Sequence, residues 1–362
     1  MERETFPVLR DDTANPTAQM TNLVLYNSPT KEKILNLYPS FPYEGLGDDQ
    51  QIFYWKEVKK SFKLGVTMYV PHKYFYDFRI PVGADWDRFE KASKRFPQHG
   101  EIMISSFPRS GTTLLQHIVF MLLRGGKPAD SIGEVLIAIP FPEQDGFRDG
   151  VQHLAIKYHL PFRLMPFSKD ARYVYVARNP KDTCVSYYHF LKDLPGYSIE
   201  SFDEFYEAFL SGQLPHGDIM DHILEWYEAS SQHSNIFFTT YESLVKRKEE
   251  TVKDLARFLG LAKLDHITLT NVMQYSSFEY MRHLTSRDDF YEKYLQACTG
   301  SLKEKSKGDT YPQMIRKGLV GDWRNHFSED QSRRMDEHFE AKMKNIKWAF
   351  GWAEDMLYKQ KN

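Results

Sequence analysis

Between residues 105 and 113 the chain reads Ser105-Ser106-Phe107-Pro108-Arg109-Ser110-Gly111-Thr112-Thr113, a run that concentrates hydroxyls, one cation and a glycine. Such a set recognises an anion. Ahead of it Ile102-Met103-Ile104 reads as a short buried strand, and behind it Leu114, Leu115, Ile118, Val119, Met121 and Leu122 recur at helical spacing. A tight turn between strand and helix aims free backbone N–H groups and the positive end of the helix dipole at a phosphate. The same Ser and Thr residues could instead serve only as helix caps. The run is close to the Walker A pattern without matching it, because Ser106 stands where a glycine is required and Thr112 where a lysine is required.

Three further segments carry chemistry. Lys157-Tyr158-His159-Leu160-Pro161 pairs a cation with a possible base, two residues apart and on one side of an extended chain. Arg178-Asn179-Pro180-Lys181-Asp182 follows the apolar run Tyr173 to Ala177, which puts Arg178 at a strand's carboxyl end, where α/β sheets bind ligands. Pro180 suits a first helical turn, with Ser186 one and a half turns further on. Arg316-Lys317-Gly318-Leu319-Val320-Gly321-Asp322-Trp323 reads as a glycine-punctuated basic loop able to close over an anion.

The elements that must position these groups alternate in type. Strands are expected at Ile102 to Ser105, Leu154 to Lys157, Arg172 to Ala177 and Ile236 to Thr240. Helices are expected at Thr112 to Arg124, Asp182 to Leu194, Phe202 to Ser211, Asp218 to Ser230, Lys246 to Leu259 and Ser328 to Met343. That alternation predicts an α/β fold, a mostly parallel sheet flanked by helices. Residues 1–50 read as an extended or loosely ordered arm, and 51–360 as a single domain. The aromatic stretch with Phe53, Tyr54, Trp55, Phe62, Tyr69, Tyr74, Phe75, Tyr76 and Phe78 is expected in the core or its lid.

Composition narrows the setting. A formal charge of −2, from 47 basic and 49 acidic residues among 362, leaves no electrostatic footprint for nucleic acid. Cys184 and Cys298 are too few for a disulfide framework, and Asn15 is followed by Pro16, which blocks its glycosylation triplet. The start lacks an apolar signal region and no window is long enough to span a membrane, so a soluble, cytoplasmic protein is expected.

In their order along the chain these motifs resemble the cytosolic sulfotransferase family, from about residue 95 to about residue 340. The family's Tyr-Pro-Lys-Ser-Gly-Thr-Thr-Trp loop is matched by Phe107 to Leu114, its Lys-Thr-His-Leu-Pro segment by Lys157 to Pro161, and its Arg-Asn-Pro-Lys-Asp run with a following serine by Arg178 to Ser186. Its tyrosine–glutamate pair is similar to Tyr241-Glu242 and its Ser-Ser-Phe turn to Ser276-Ser277-Phe278. Its Arg-Lys-Gly-x-x-Gly-Asp-Trp loop resembles Arg316 to Trp323, and its Gly-x-x-x-Asp-His-x-x-x-Trp helix resembles Gly217, Asp221, His222 and Trp226.

The resemblance implies a P-loop-like sulfotransferase fold and the donor 3'-phosphoadenosine 5'-phosphosulfate, leaving 3'-phosphoadenosine 5'-phosphate, with no metal. It implies His159 as the base, with Lys157 and Arg109 stabilising charge. Arg109, Ser110, Gly111, Thr112 and Thr113 would hold the 5'-phosphate. Arg178, Ser186, Arg316, Lys317 and the Gly318 N–H would hold the 3'-phosphate, with Tyr241, Ser276 and Phe278 at the adenine. Chemistry supports these roles independently: a histidine is a competent base near neutral pH, and cations stabilise the charge of a leaving phosphate.

Two positions and one segment depart from the family pattern. Arg109 replaces a lysine, giving a planar cation that does not readily donate a proton. Leu114 replaces a tryptophan, leaving Phe278 as the aromatic face for adenine. The dimer segment Lys-x-x-x-Thr-Val-x-x-x-Glu is not matched, since Arg324, Ser328, Glu329 and Arg333 occupy its positions, so a homodimer by that route is not expected. The acceptor expected is a small, mostly apolar hydroxyl or amine compound, phenol-like, met by Phe141, Phe147, Phe162 and the aromatics from Tyr74 to Phe78. Two other functions fit parts of the pattern: a small-molecule kinase with an atypical P-loop, which would need a metal-binding carboxylate and affinity for ATP, and a non-catalytic nucleotide-binding homologue. Retention of both Lys157 and His159 speaks against the second.

Overall fold

Four parallel strands organise the molecule. The computed structural model describes residues 52–53, 70, 72–75, 78–81, 84–147, 153–194, 197–261, 264–286, 313–344, 346 and 352. The expected arm, Cys298, Tyr54, Trp55, Phe62, Tyr69 and Tyr76 lie outside them. In chain order the elements are β1 (Ile52–Phe53), β2 (His72–Phe75), β3 (Phe78–Pro81), α1 (Trp86–Lys94), β4 (Ile102–Ser105), α2 (Thr112–Leu123), α3 (Ile132–Ala138), α4 (Pro142–Asp145), β5 (Ile156–Tyr158) and β6 (Arg172–Ala177). There follow α5 (Pro180–Lys192), α6 (Phe202–Leu210), α7 (Ile219–Gln232), β7 (Ile236–Thr240), α8 (Tyr241–Lys246), α9 (Lys248–Phe258), α10 (His266–Tyr275), α11 (Phe278–Ser286) and α12 (Glu329–Met343), with single 3-10 turns at Phe162–Leu164 and Asp322–Asn325.

The sheet order is β5-β4-β6-β7, all parallel, with Met103 opposite Ile156, Ile104 opposite Val174 and Tyr175 opposite Phe238. Successive side chains of a strand face opposite sides. Met103, Tyr173 and Tyr175 therefore pack with Phe107, Trp226 and Phe205 on one face, while Ile104, Val174 and Val176 pack with Leu115, Val119 and Leu255 on the other. Burial on both faces explains why these strands read as continuous apolar runs.

The α/β architecture is as expected, and β4, β6 and β7 occupy the expected residues. Several details differ. β5 is shifted toward Tyr158, because Leu154 and Lys157 donate their N–H groups to Ala138 and Pro140 rather than starting a longer ladder. α5 begins at Pro180, since the Asn179 side chain accepts from the Lys181 N–H and caps the helix there. The helix expected at Lys246 to Leu259 is α9, from Lys248 to Phe258, and it is preceded by the short α8, which ends at Lys246 and is separated from α9 at Arg247 with φ −128 and ψ 41. The aromatic stretch forms a second, antiparallel sheet, β1-β2-β3, whose Phe75 and Phe78 rings meet Phe89 of α1. Among the described residues no helix is long and apolar enough to cross a membrane.

Candidate active site

The four parallel strands end at Ser105, Tyr158, Ala177 and Thr240, and each is followed immediately by a segment singled out for its chemistry. The carboxyl edge of one sheet thus gathers the Ser106 to Gly111 turn, His159, Arg178 and Tyr241. Pro108, Arg109 and Gly111 of that turn, with His159, Arg178 and Tyr241, line one cleft of about 350 Å³, which also takes Ser186, Ser276, Phe278, Arg316, Lys317 and Gly318 into its wall.

The turn after β4 has the geometry that suits an anion. Arg109 and Gly111 both sit in the left-handed region, at φ 67 and φ 100, and a side chain at Gly111 would start 2.6 Å from the Tyr241 ring. Glycine is therefore required both by backbone and by space. α2 starts with no side-chain cap and no acidic residue in its first turn, which leaves its first N–H groups facing the cleft with the positive end of the helix dipole. Ser106 Oγ lies 2.5 Å from Thr112 Oγ1, and the buried Ser110 Oγ has no hydrogen-bond partner. Thr112 and Thr113 line the cleft beside it.

His159 is held by its surroundings. Its Nδ1 lies 2.7 Å from the Ser106 carbonyl, an oxygen that can only accept, so Nδ1 carries the proton and Nε2 keeps its lone pair. Burial, then the charge of Lys157 and then His216, hold its pKa well below the ordinary imidazole range. The ring is neutral at physiological pH. Lys157 Nζ rests 4.1 Å from the centre of the Phe141 ring, and Phe141 meets His159 edge-on at 5.0 Å.

A second group of cations lies beside the turn after β4. Arg178, nearly buried, donates from Nη1 to the Arg109 carbonyl at 3.1 Å and from Nη2 to the Leu319 carbonyl at 3.1 Å, and its guanidinium lies 4.4 Å from the centre of the Tyr241 ring. Its buried Nε has no hydrogen-bond partner. Tyr241 donates its hydroxyl to the Gly318 carbonyl at 3.0 Å. Arg316 and Lys317 both pair with Asp322, at 2.6 and 2.8 Å, and these bonds hold the Asp322 carboxyl well below its ordinary range against the opposing effect of burial. Asp182 accepts the Gly321 and Trp323 N–H groups at 2.6 and 3.0 Å and so fastens the loop to α5. Ser276 donates its hydroxyl to Val272, while its carbonyl accepts from Lys248 Nζ at 2.6 Å.

Of the expected site residues all but Ser110, which is buried within the turn, line this cleft, but not every expected acceptor contact does. Phe141 lines it. Phe162 packs against Trp226 and Phe167, Phe147 lies under the Arg95 guanidinium, and Phe75 and Phe78 belong to the core with Phe89. The apolar wall comes instead from Phe89, Tyr187, Phe190, Leu191, Leu194 and Tyr197. Glu143, His216 and Lys248 also line the cleft without having been picked out from the sequence, because none of them sits in a motif. The positions expected for a dimer segment start a helix: Ser328 caps α12 in a reciprocal bond with Gln331.

Residues 99–347 match the sulfotransferase domain family. Mouse sulfotransferase 1E1 is 31% identical over 259 residues, covering 68% of this chain and 84% of that protein. Mouse sulfotransferase 1B1 is 32% identical over 278 residues, covering 72% and 87%. Among solved structures, mouse sulfotransferase SULT7A1 complexed with PAP is 25% identical with a TM-score of 0.58, over 76% of this chain and 95% of that one. Retinol dehydratase in complex with androsterone and PAP shares the fold, with 18% identity and a TM-score of 0.60, over 84% and 99%. With the domain match spanning more than half of the chain and every segment singled out for its chemistry, this chain belongs to the sulfotransferase family and is a sulfotransferase.

Proposed function

We propose that the protein transfers a sulfuryl group from 3'-phosphoadenosine 5'-phosphosulfate to the hydroxyl or amine of a small, mostly apolar, phenol-like acceptor, with His159 as the base. The donor's fit rests on features of this cleft: an uncapped helix start beside an unpartnered Ser110 hydroxyl, and across from it a buried arginine with an idle Nε. Both groups can donate to an anion. The binding of PAP by the mouse relative SULT7A1 supports the same donor.

Arg109, Ser110, Gly111, Thr112 and Thr113 would hold the 5' side of the donor, and Arg178, Ser186, Arg316, Lys317 and Gly318 the 3'-phosphate. Tyr241, Ser276 and Phe278 would meet the adenine. When bound, the donor supplies an activated sulfuryl group on a phosphate that leaves as an anion. The chain's own work is to orient, to accept a proton and to balance charge. His159 Nε2 takes the acceptor's proton as the new O–S or N–S bond forms, Lys157 and Arg109 offset the negative charge that develops, and the apolar wall keeps competing water out.

The fixed tautomer of His159 carries this reading: its Nδ1 is committed to Ser106, so the one free ring nitrogen is the basic one. A screen of phenols, alcohols and arylamines with sulfur-labelled donor tests it. Transfer is expected to phenol-like acceptors, and His159→Ala should lower kcat by about 10² or more while leaving binding of the desulfated nucleotide unchanged. Retention of most activity by that variant would remove His159 from the mechanism.

A further inference from the structure

His159 is secured at its backbone as well as its ring. β5 ends at Tyr158, which pairs with Ser105 at the last rung of the ladder, so the next N–H must find its acceptor elsewhere. The His159 N–H donates to Glu143 Oε2 at 2.7 Å. The His159 carbonyl accepts from His222 Nε2 at 3.2 Å, and the following carbonyl, of Leu160, accepts from the Trp226 indole at 3.0 Å.

Glu143 comes from α4, a single turn that starts at Pro142. The same segment grips Lys157 as well: the Pro140 carbonyl accepts the Lys157 N–H at 2.9 Å, and the Phe141 ring lies against both Lys157 and His159. Residues 140–143 therefore form a bracket around the two reacting side chains.

A carboxyl is a costly way to fill this space. Glu143 is only 3% exposed, and its Oε1 is buried with no hydrogen-bond partner. An apolar side chain of similar reach would avoid that desolvation. The one bond the carboxyl makes is to the backbone of His159. Burial pushes its pKa up to about 8, against the opposing effects of the His159 N–H and the Lys157 charge. At neutral pH it is mostly the uncharged acid, so a neutral amide is a fair replacement.

We propose that Glu143 is a positioning residue for sulfuryl transfer, which sets the place of His159 Nε2 in the cleft by holding the His159 main chain. This rests on the reading of His159 as the base. Glu143 itself takes no proton from the acceptor and contributes only through His159.

The test is steady-state kinetics on the full chain with labelled donor, using Glu143→Leu, Glu143→Met, Glu143→Gln, His159→Ala and the combination of Glu143→Leu with His159→Ala. Titration with 3'-phosphoadenosine 5'-phosphate serves as the folding control. The leucine variant is expected to lose about 10- to 100-fold in kcat, the size that misplacing a reacting group by an ångström produces, with nucleotide affinity and acceptor KM little changed. The methionine variant should behave likewise and stands in if leucine does not fold. Glutamine, which keeps the acceptor oxygen, should recover most of the loss. On top of His159→Ala, the leucine change should cost less than about twofold, since a residue acting only through His159 has nothing left to position. The inference is overturned if the folded leucine or methionine variant stays within about twofold of the parent, if glutamine is as slow as leucine, or if the two losses multiply in the combination. Full activity in His159→Ala is a separate result, which removes the base assignment and this inference with it.

Discussion

Arg109 Nε donates to Ser186 Oγ at 3.3 Å, joining the turn before α2 to the first half of α5 across the cleft. The same guanidinium donates from Nη2 to the Met314 carbonyl at 3.0 Å and lies 4.7 Å from the centre of the Phe190 ring. One side chain of this turn thus touches Ser186 of α5, the Met314 carbonyl and the Phe190 ring. A planar fork is suited to this because its bonds leave in fixed, divergent directions while its face stacks on an aromatic ring.

Replacing that fork separates charge from geometry. Arg109→Lys keeps the charge but cannot reach Ser186 and Met314 together, so it should retain activity at about a tenth of the parent's kcat/KM. Arg109→Ala should lose roughly 2 to 4 kcal/mol of transition-state stabilisation, the size seen when one oxyanion donor is removed. Initial rates at varied donor concentration decide this, and an alanine variant as fast as the parent would show that Arg109 does not support the transition state.

The proposed 3'-phosphate site at Arg178, Ser186, Arg316 and Lys317 would make the donor distinguishable from ATP. Adenosine 3',5'-bisphosphate should raise the thermal midpoint, since a ligand at one hundred times its dissociation constant adds about 2.7 kcal/mol. AMP and ATP with magnesium should add far less, because neither presents a 3'-phosphate to the cluster around Arg178. Arg178→Ala should abolish the bisphosphate's effect. Equal stabilisation by ATP with magnesium would return the kinase reading to first place.

Gly318 separates space from backbone conformation. At φ 66 a side chain there would start 2.3 Å from a Phe278 ring carbon, whereas Gly100, at φ 77, has nothing within 4 Å. Gly100→Ala should therefore cost only the left-handed backbone penalty, about 1 kcal/mol. Gly318→Ala should cost more, by displacing Phe278 or the loop, and should weaken bisphosphate binding by about tenfold or more. Denaturant midpoints and nucleotide titration of the two variants give the comparison, and equal costs with unchanged binding would mean that the Phe278 contact has no role in the site.

Stability should peak near pH 6.5. Burial lowers the pKa of His72, His216 and His222 to about 3 and of His117 to about 4, and that of His159 further below its ordinary value. The unfolded chain binds protons at these groups as pH falls below about 6.5 while the folded chain does not, so each withdraws about 1.4 kcal/mol per pH unit. Burial acts in the other direction on Glu143 and Glu242, raised to about 8 and about 7. Their folded forms keep protons that the unfolded chain has lost above about pH 4.5, so their contribution declines as pH rises to those values. Below about 6.5 the histidines outnumber the carboxyls and stability rises with pH; above it only the carboxyls titrate and stability falls. Urea midpoints measured from pH 5 to pH 8 would expose a maximum elsewhere.

Local chemistry is what the chain writes down plainly. The apolar runs of β4, β6 and β7 announce buried parallel strands, and the residues after them carry the hydroxyls and cations of the cleft, because a parallel sheet places its functional groups just past the carboxyl ends of its strands. Arg178, Ser186 and Arg316 could therefore be picked out from order and spacing, Tyr241 only from the family resemblance, and the structure gathers all four in one cleft. What the sequence could not state is which side chains meet across long separations. Glu143 finds the His159 N–H from a one-turn helix too short to have a period, and Arg109 finds Ser186 from 77 residues away. The acceptor wall moved for the same reason: Phe147 and Phe162 are as aromatic as Phe190, and only the packing of α1 and α5 over the sheet decides which rings face the cleft. Periodicity reports the face of an element, whereas a contact between elements depends on where the whole chain has placed both of them.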